Sequence, residues 1–343
     1  MAEKPLILIA DPHPLTVPMM FSDYEWERLH SVARVVVHDK TTRLSDADLA
    51  NALKEASVIV GQIALPEERL ANCGKLKAIF NVEGNFFPNV DYDFCFAHNI
   101  RVLITSPVYA VPVAEMALGM AISSVRDIAF VDRAFRQGTE GWGPTSSLNS
   151  SSLYRCPVGI IGLGDIGSTL RKLLAPFKCE VFAYDPWLPQ SVIRDQDCTP
   201  VELTELLQRS RVVFVLAGAT SGNAGFIGRK ELELVQPNAS VLVLSRAAVI
   251  DFEAFRDMVQ AGRFKGGADV FPEEPVEKED PIRDVDQMIL SSHRGGGPHS
   301  FYSDIGRMVN DDVELVLRGL PPRVCKRAEP ETVKRMRGKP TDS

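Results

Sequence analysis

The chain predicts an α/β protein of two doubly wound parallel sheets. Three observations predict it. Short β-branched runs alternate with polar helical stretches through the first hundred residues, the same alternation resumes after Ser152, and 343 residues suffice for two domains. Between the halves lies a long apolar helical segment followed by a stretch rich in Gly, Ser, Thr and Pro, from Gly138 to Ser152.

In the first half the predicted strands are Leu6 to Ala10, Ala33 to Val37, Val58 to Val60, Leu76 to Asn81 and Val102 to Ile104. Ser45 to Ala56 and Glu67 to Cys73 carry helical spacing between them, as crossovers of a parallel sheet require. Pro107 and Pro112 bracket a break. From Val113 to Arg136 the residues are small, apolar and helix-forming, which predicts one long buried helix, placed between subunits. The second half predicts strands at Val158 to Ile161, Glu180 to Ala183, Val212 to Leu216, Ser240 to Leu244 and Met288 to Leu290. Helices near Ile166 to Leu174, Pro200 to Gln208, Arg229 to Leu234 and Phe252 to Ala261 lie between them. A helix from Ser303 to Leu317 returns toward the first unit, and residues 326–343 read as a charged, Pro-punctuated, poorly ordered tail.

Composition narrows the function. Hydrophobic residues at 45% and charged residues at 24% suit a folded core, while a net charge of −7 disfavours nucleic acid and anionic membrane as partners. The six cysteines are scattered without metal-ligand spacing, so no metal is expected and the thiols read as reduced, in a cytoplasmic protein. The apolar run at the N-terminus is too short for a signal peptide or a membrane span.

The strongest local signal is an apolar strand, a GxGxxG turn and a helix start over residues 157–171. Gly162 suits the tight turn, Gly164 lets backbone approach a pyrophosphate at the helix N-terminus beside Asp165 and Ile166, and Gly167 permits close helix-to-strand packing. The next strand ends at Asp185, about 20 residues on, where a carboxylate accepts both ribose hydroxyls and repels a 2′-phosphate. The expected cofactor is NAD (NADH) rather than NADP.

Three ionisable residues follow strand ends of the same unit: Arg246, Glu274 and His293. Carbonyl reduction needs these types. Negative charge develops on the C2 oxygen as hydride arrives, and a histidinium there donates the proton. A carboxylate at the far ring nitrogen fixes the tautomer and favours the charged ring, and a guanidinium clamps the substrate carboxylate through its planar fork.

With these motifs the chain resembles the D-isomer-specific 2-hydroxyacid dehydrogenase family, over roughly Leu6 to Arg323. The elements carrying the resemblance are Val158 to Gly167, Ser245 to Asp251, Ala268 to Pro275 and Ser292 to Gly296, with Asn89 to Asp91 and Val113 to Glu115 in the first half. The resemblance implies a Rossmann-type cofactor domain, residues 107–298, inserted into a smaller flavodoxin-like substrate domain, residues 1–106 and 299–325. It also implies the trio Arg246, Glu274 and His293 as catalytic residues, Asp269 near the nicotinamide, Ser245, Ala217 and Thr220 beside the cofactor, and a homodimer through the helix near 113–136. The partner is a small 2-oxo or 2-hydroxy acid.

Departures from the family pattern gather around the substrate. Phe86 stands where a second Gly is usual in the loop Val82 to Pro88, leaving Gly84 and the side chain of Asn85 as the substrate contacts. Arg294 replaces an apolar residue after His293 and is a candidate contact to a second polar or anionic group. Ala217 to Thr220 replaces a His- and Pro-containing segment, and Ala247 and Val243 are further changes. Two other readings are kept open by them: reduction of an imino acid or unusual 2-oxo compound, and an NAD(H)-sensing protein similar to the corepressors of this fold.

Overall fold

Parallel strands buried on both faces organise the chain into two compact units, residues 1–109 with 298–343, and residues 110–297. The computed structural model describes residues 4–220, 222–297 and 299–335, with the side chain of His299 left out.

The first unit holds β1 (Leu6–Ala10), β2 (Arg34–His38), β3 (Ala56–Gly61), β4 (Ala78–Asn81) and β5 (Arg101–Ile104) in the order β5-β4-β3-β1-β2, all parallel. β1 and β3 are buried at every position, hence their unbroken apolar runs. Helix starts follow local capping chemistry: Ser22, Ser45 and Asp91 accept the backbone N–H of Glu25, Asp48 and Phe94 respectively. Because β1 lies between β2 and β3, the strand order reverses there and opens a switch point at the carboxyl edge.

The expected tail begins as structure. Residues Lys326–Arg327 pair antiparallel with β5, extending the sheet, and Ala328 is buried against it. The cause is Asp312, fully buried on the helix His299–Leu317, whose carboxylate accepts the N–H groups of Arg323, Val324 and Cys325. That anchor returns the chain to the sheet edge. Residues 336–343 of the expected tail lie outside the described residues.

The second unit is wholly parallel. Its strands are β6 (Pro157–Ile161), β7 (Glu180–Tyr184), β8 (Thr199–Pro200), β9 (Val212–Val215), β10 (Ser240–Val243), β11 (Lys265–Ala268) and β12 (Met288–Leu290), in the order β12-β11-β10-β9-β6-β7-β8. Since all run the same way, their C-terminal loops share one edge.

The expected single helix from Val113 to Arg136 is two helices, Ala110–Val125 and Ile128–Gln137. The break falls at Asp127, which adopts a left-handed backbone at φ 57°. Its carboxylate is held by the buried Lys265 ammonium and by the Ser150 hydroxyl at 2.5 Å, tying the break to β11 and to the loop beyond. Only the first helix is buried; no residue of the second is. By length and composition the stretch Ser106–Val125 could cross a membrane, yet its helical part packs on the helix Asp165–Leu174 and on β10 and β11.

Candidate functional site

The carboxyl edge of the second sheet carries the expected site residues in strand order. His293 follows β12, Asp269 and Glu274 follow β11, Ser245 and Arg246 follow β10, Ala217 and Thr220 follow β9, the glycine turn follows β6, and Asp185 follows β7. Adjacent strands stand about 4.8 Å apart, so neighbouring loops lie within side-chain reach.

At the turn, each glycine meets a different constraint. Gly162 has φ 93°, and a Cβ there would lie 2.6 Å from the backbone of Ala217 at the end of β9. A Cβ on Gly167 would come 2.4 Å from the Gly162 carbonyl oxygen, so the helix Asp165–Leu174 sits directly on the turn. Around Gly164 there is open space, with no atom within 4 Å of the added carbon. Gly164 is also the N-cap of that helix and offers it no side-chain cap. Open space in front of a positive helix end fits a pyrophosphate. Asp185 accepts the N–H of Leu163 at 2.9 Å through one oxygen and that of Trp187 at 3.0 Å through the other, which fixes its carboxylate beside the turn. The residues present therefore fit a dinucleotide.

At the other end of the edge, His293 Nδ1 lies 2.6 Å from Glu274 Oε2. Glu274 Oε1 in turn accepts the N–H of Phe271 at 2.9 Å, so both carboxylate oxygens are committed. Both side chains remain partly exposed and line a pocket of about 590 Å³ with Phe271, Val276, Leu290 and Arg294. His293 is held with φ 53°, a left-handed conformation that a side chain other than glycine adopts only under constraint. The constraint is Asp269. Its carbonyl accepts the His293 N–H at 2.8 Å, and its buried carboxylate accepts the N–H groups of Arg294 and Gly295, each at 2.8 Å. This clamp is absent from the sequence reading, which assigned Asp269 to the cofactor.

The Ser245 hydroxyl donates to the Ala217 carbonyl at 2.7 Å, tying the β10 loop to the β9 loop. Arg246 next to it is exposed, with Nη1 donating to the Ser245 carbonyl at 2.9 Å. Thr220 donates its backbone N–H to Asn223 at 2.7 Å, and Asp165 is exposed while Ile166 is half-buried. Arg294 has an exposed side chain on the pocket wall. Among the described residues no cluster of His, Cys, Asp and Glu could hold a metal ion.

Gly84 and Asn85 belong to the first unit, in the loop after β4. Phe86 there turns into that unit's core, 4% exposed and edge-on to Tyr92 with ring centroids 6.2 Å apart. Its bulk is thus a packing feature.

Residues 118–295 match the sequence family described as "D-isomer specific 2-hydroxyacid dehydrogenase, NAD binding domain". The chain belongs to this family. Its cofactor is NAD(H), bound by the second unit. Among solved structures of the D-2-hydroxyacid dehydrogenase fold, a phosphoglycerate oxidoreductase from Rhizobium etli is 37% identical, with a TM-score of 0.86, covering 95% of this chain and 99% of that one. A D-3-phosphoglycerate dehydrogenase from Methanocaldococcus jannaschii is 27% identical over 81% of this chain and 53% of its own length. A glyoxylate reductase from Korarchaeum cryptofilum is 26% identical over 69% of this chain and 73% of that protein. This chain thus spans little more than half the length of the phosphoglycerate dehydrogenase it matches.

Proposed function

We propose that the protein is an NAD-dependent oxidoreductase that interconverts a small 2-oxo acid and its D-2-hydroxy acid. The observation that carries this reading is the hydrogen-bonded His293–Glu274 pair on the sheet edge that also bears the glycine turn and Asp185. Bound nicotinamide supplies or removes the hydride at C2. His293 holds a proton at Nε2 for the C2 oxygen, and Glu274, in contact with Nδ1, fixes that orientation. Arg246 takes the substrate carboxylate and polarises the carbonyl. Asp269 keeps the His293 loop in its constrained conformation. Asp165, Ile166, Ala217, Thr220, Ser245 and Asp269 border the cofactor, and Asp185 favours NAD over NADP by repelling a 2′-phosphate. In the first unit Gly84 and Asn85 are the proposed substrate contacts; in the second they are Arg246, His293 and Arg294.

The family's relatives with named activities, a phosphoglycerate dehydrogenase and a glyoxylate reductase among them, support a 2-hydroxy acid as substrate. The test is NADH oxidation at 340 nm with glyoxylate, hydroxypyruvate, pyruvate, phenylpyruvate and 2-oxoglutarate. Turnover of at least one, yielding the D-hydroxy acid, is expected. Inactivity on all, with NADH bound, contradicts the assignment.

We further propose a cytoplasmic homodimer built through the segment that follows the buried helix. On Ile128–Gln137, Ile128, Val131 and Phe135 share one face and are 53%, 50% and 59% exposed, with Trp142 beside Phe135 in ring contact. Phe135→Glu is expected to convert a dimer to a monomer in light scattering; a monomeric parent protein contradicts the proposal.

A further inference from the structure

Five of the six cysteines are buried, and the sixth, Cys179, is half-buried. The second sheet gives Cys179 a thiol neighbour. β6 and β7 pair in parallel with Pro157 opposite Glu180, so the residues one step earlier, Cys156 and Cys179, stand side by side at the amino edge of the sheet. Both segments enter their strands in the same way, through a left-handed residue, Arg155 at φ 58° and Lys178 at φ 53°.

The two side chains leave on one face. Successive residues of a strand alternate between faces, and the next members of this alternation, Val158 and Val181, are paired across β6 and β7 and both buried. A shared acceptor draws the pair together: the Leu153 carbonyl accepts the Cys156 N–H at 3.1 Å and the Cys179 thiol at 3.2 Å, which sets the Cys179 sulfur against the Cys156 backbone. Adjacent strands stand about 4.8 Å apart, within the span of about 4.4–6.8 Å between Cα atoms that a disulfide bridges.

The two thiols differ in what reaches them. Burial raises both above the ordinary 9.0, Cys156 to about 11, while the Cys156 N–H and the Arg171 guanidinium act in the opposite sense on Cys179. Cys179, half-buried and with those two groups beside it, is the sulfur that a reagent meets first. Cys156, buried, is reached from Cys179 and not from solvent.

We propose that Cys156 and Cys179 form a reversible oxidation site, which a peroxide converts to a disulfide that closes a covalent ring around the glycine turn and stabilises the second unit. The Cys179 sulfur attacks one peroxide oxygen; the S–O bond forms, the O–O bond breaks and one water leaves, giving a sulfenic acid. The Cys156 sulfur then attacks the Cys179 sulfur; the S–S bond forms, the S–O bond breaks, and the hydroxyl leaves as a second water with the Cys156 proton. Two thiols are oxidised by two electrons and one peroxide is reduced to two waters. Adjacency favours the second step over further oxidation of Cys179. The opposite ends of β6 and β7 carry the glycine turn and Asp185, so the bond ties together the two strands that present them. The site holds whether or not the protein reduces a 2-oxo acid.

The full-length protein is treated with hydrogen peroxide, quenched in acid, alkylated and mapped by mass spectrometry. The expected product joins Cys156 to Cys179, lacks two hydrogens and is reversed by dithiothreitol. Cys156→Ser, or Cys156→Ala where serine disturbs the sheet, stops at a Cys179 sulfenic acid that dimedone traps, and Cys179→Ser leaves Cys156 a thiol. In the parent, a lone oxidised Cys179, a bond joining other cysteines, or no oxidation of either thiol overturns the proposal. The oxidised parent is also expected to melt about 5 °C or more above the reduced protein, a gain that the Cys156 variants lack. A bond formed without that gain overturns the stabilising role.

Discussion

Asp269 grips the His293 loop at three points: its carbonyl takes the His293 N–H, and its carboxylate takes the N–H groups of Arg294 and Gly295. A buried carboxylate so used holds an imidazole in a left-handed backbone conformation where Glu274 can meet it. Asp269→Asn keeps the shape but turns one acceptor into a donor against a backbone N–H. The variant is expected to lose about tenfold or more in kcat with NADH affinity within a few-fold, since an unmade buried hydrogen bond costs about 1–3 kcal/mol. Stopped-flow NADH binding beside steady-state rates checks it; loss confined to NADH affinity would show that Asp269 acts on the cofactor and not through the His293 loop.

The glycine turn predicts a separation of stability from binding. Gly162→Ala forces a Cβ to within 2.6 Å of the Ala217 backbone at φ 93°, and is expected to cost about 1–3 kcal/mol of stability in urea denaturation. A Cβ added at Gly164 finds no protein atom within 4 Å, so the fold is expected to tolerate Gly164→Val. It should melt near the parent temperature but bind NADH at least tenfold more weakly, by fluorescence titration, because the added methyls occupy the space in front of the helix end.

The Asp185 carboxylate is fixed by two backbone N–H groups, and the proposed function makes it the residue that selects the cofactor. Asp185→Ala is predicted to weaken NADH about tenfold or more while NADPH changes little, so that the ratio of dissociation constants moves toward NADPH. An unchanged ratio would remove Asp185 from the selection.

Much of this edge was legible in the sequence, because chemistry-bearing residues there follow apolar runs whose strand character is unmistakable: the turn after β6, Asp185 after β7 and Arg246 after β10 stand where those runs stop. What escaped reading depended on distant partners. β11 reads Lys-Gly-Gly-Ala, which carries no β-branched signal, and forms a strand only because β10 and β12 flank it. The helix break at Asp127 has no Pro or Gly to mark it; the marker is Lys265, 138 residues away. The edge strand Lys326–Arg327 likewise depends on Asp312 gathering backbone N–H groups from a segment that alone looks like a tail.

The Asp127–Lys265 joint can be tested directly, since the Lys265 side chain is only 9% exposed. Lys265→Met leaves a mostly buried carboxylate unpaired and is expected to lower stability by about 3 kcal/mol. Adding Asp127→Asn, which tolerates the left-handed backbone, should restore most of it. If the double variant is no more stable than the single one, the charge pairing is not what holds the break.

The thiols set an alkaline limit. Burial pushes Cys95 up to about 12 and both Cys156 and Cys198 up to about 11, against an ordinary value of 9.0, and burial beside Asp312 raises Cys325 as well. Unfolded thiols ionise first as pH rises past 9, so this stability is complete below that point and is lost progressively toward pH 11. Urea midpoints should therefore fall between pH 8.5 and about 10.5, and at pH 8 the buried Cys95, Cys156, Cys198 and Cys325 should resist thiol reagents until the protein is denatured.

The most direct measurement is kcat beside the NADH dissociation constant for His293→Ala, on whichever 2-oxo acid the parent protein reduces. Loss of at least about a hundredfold in kcat, with NADH binding within twofold of the parent, is the predicted result. Turnover that survives the substitution, or NADH binding that falls in step with it, would contradict His293 as the proton donor.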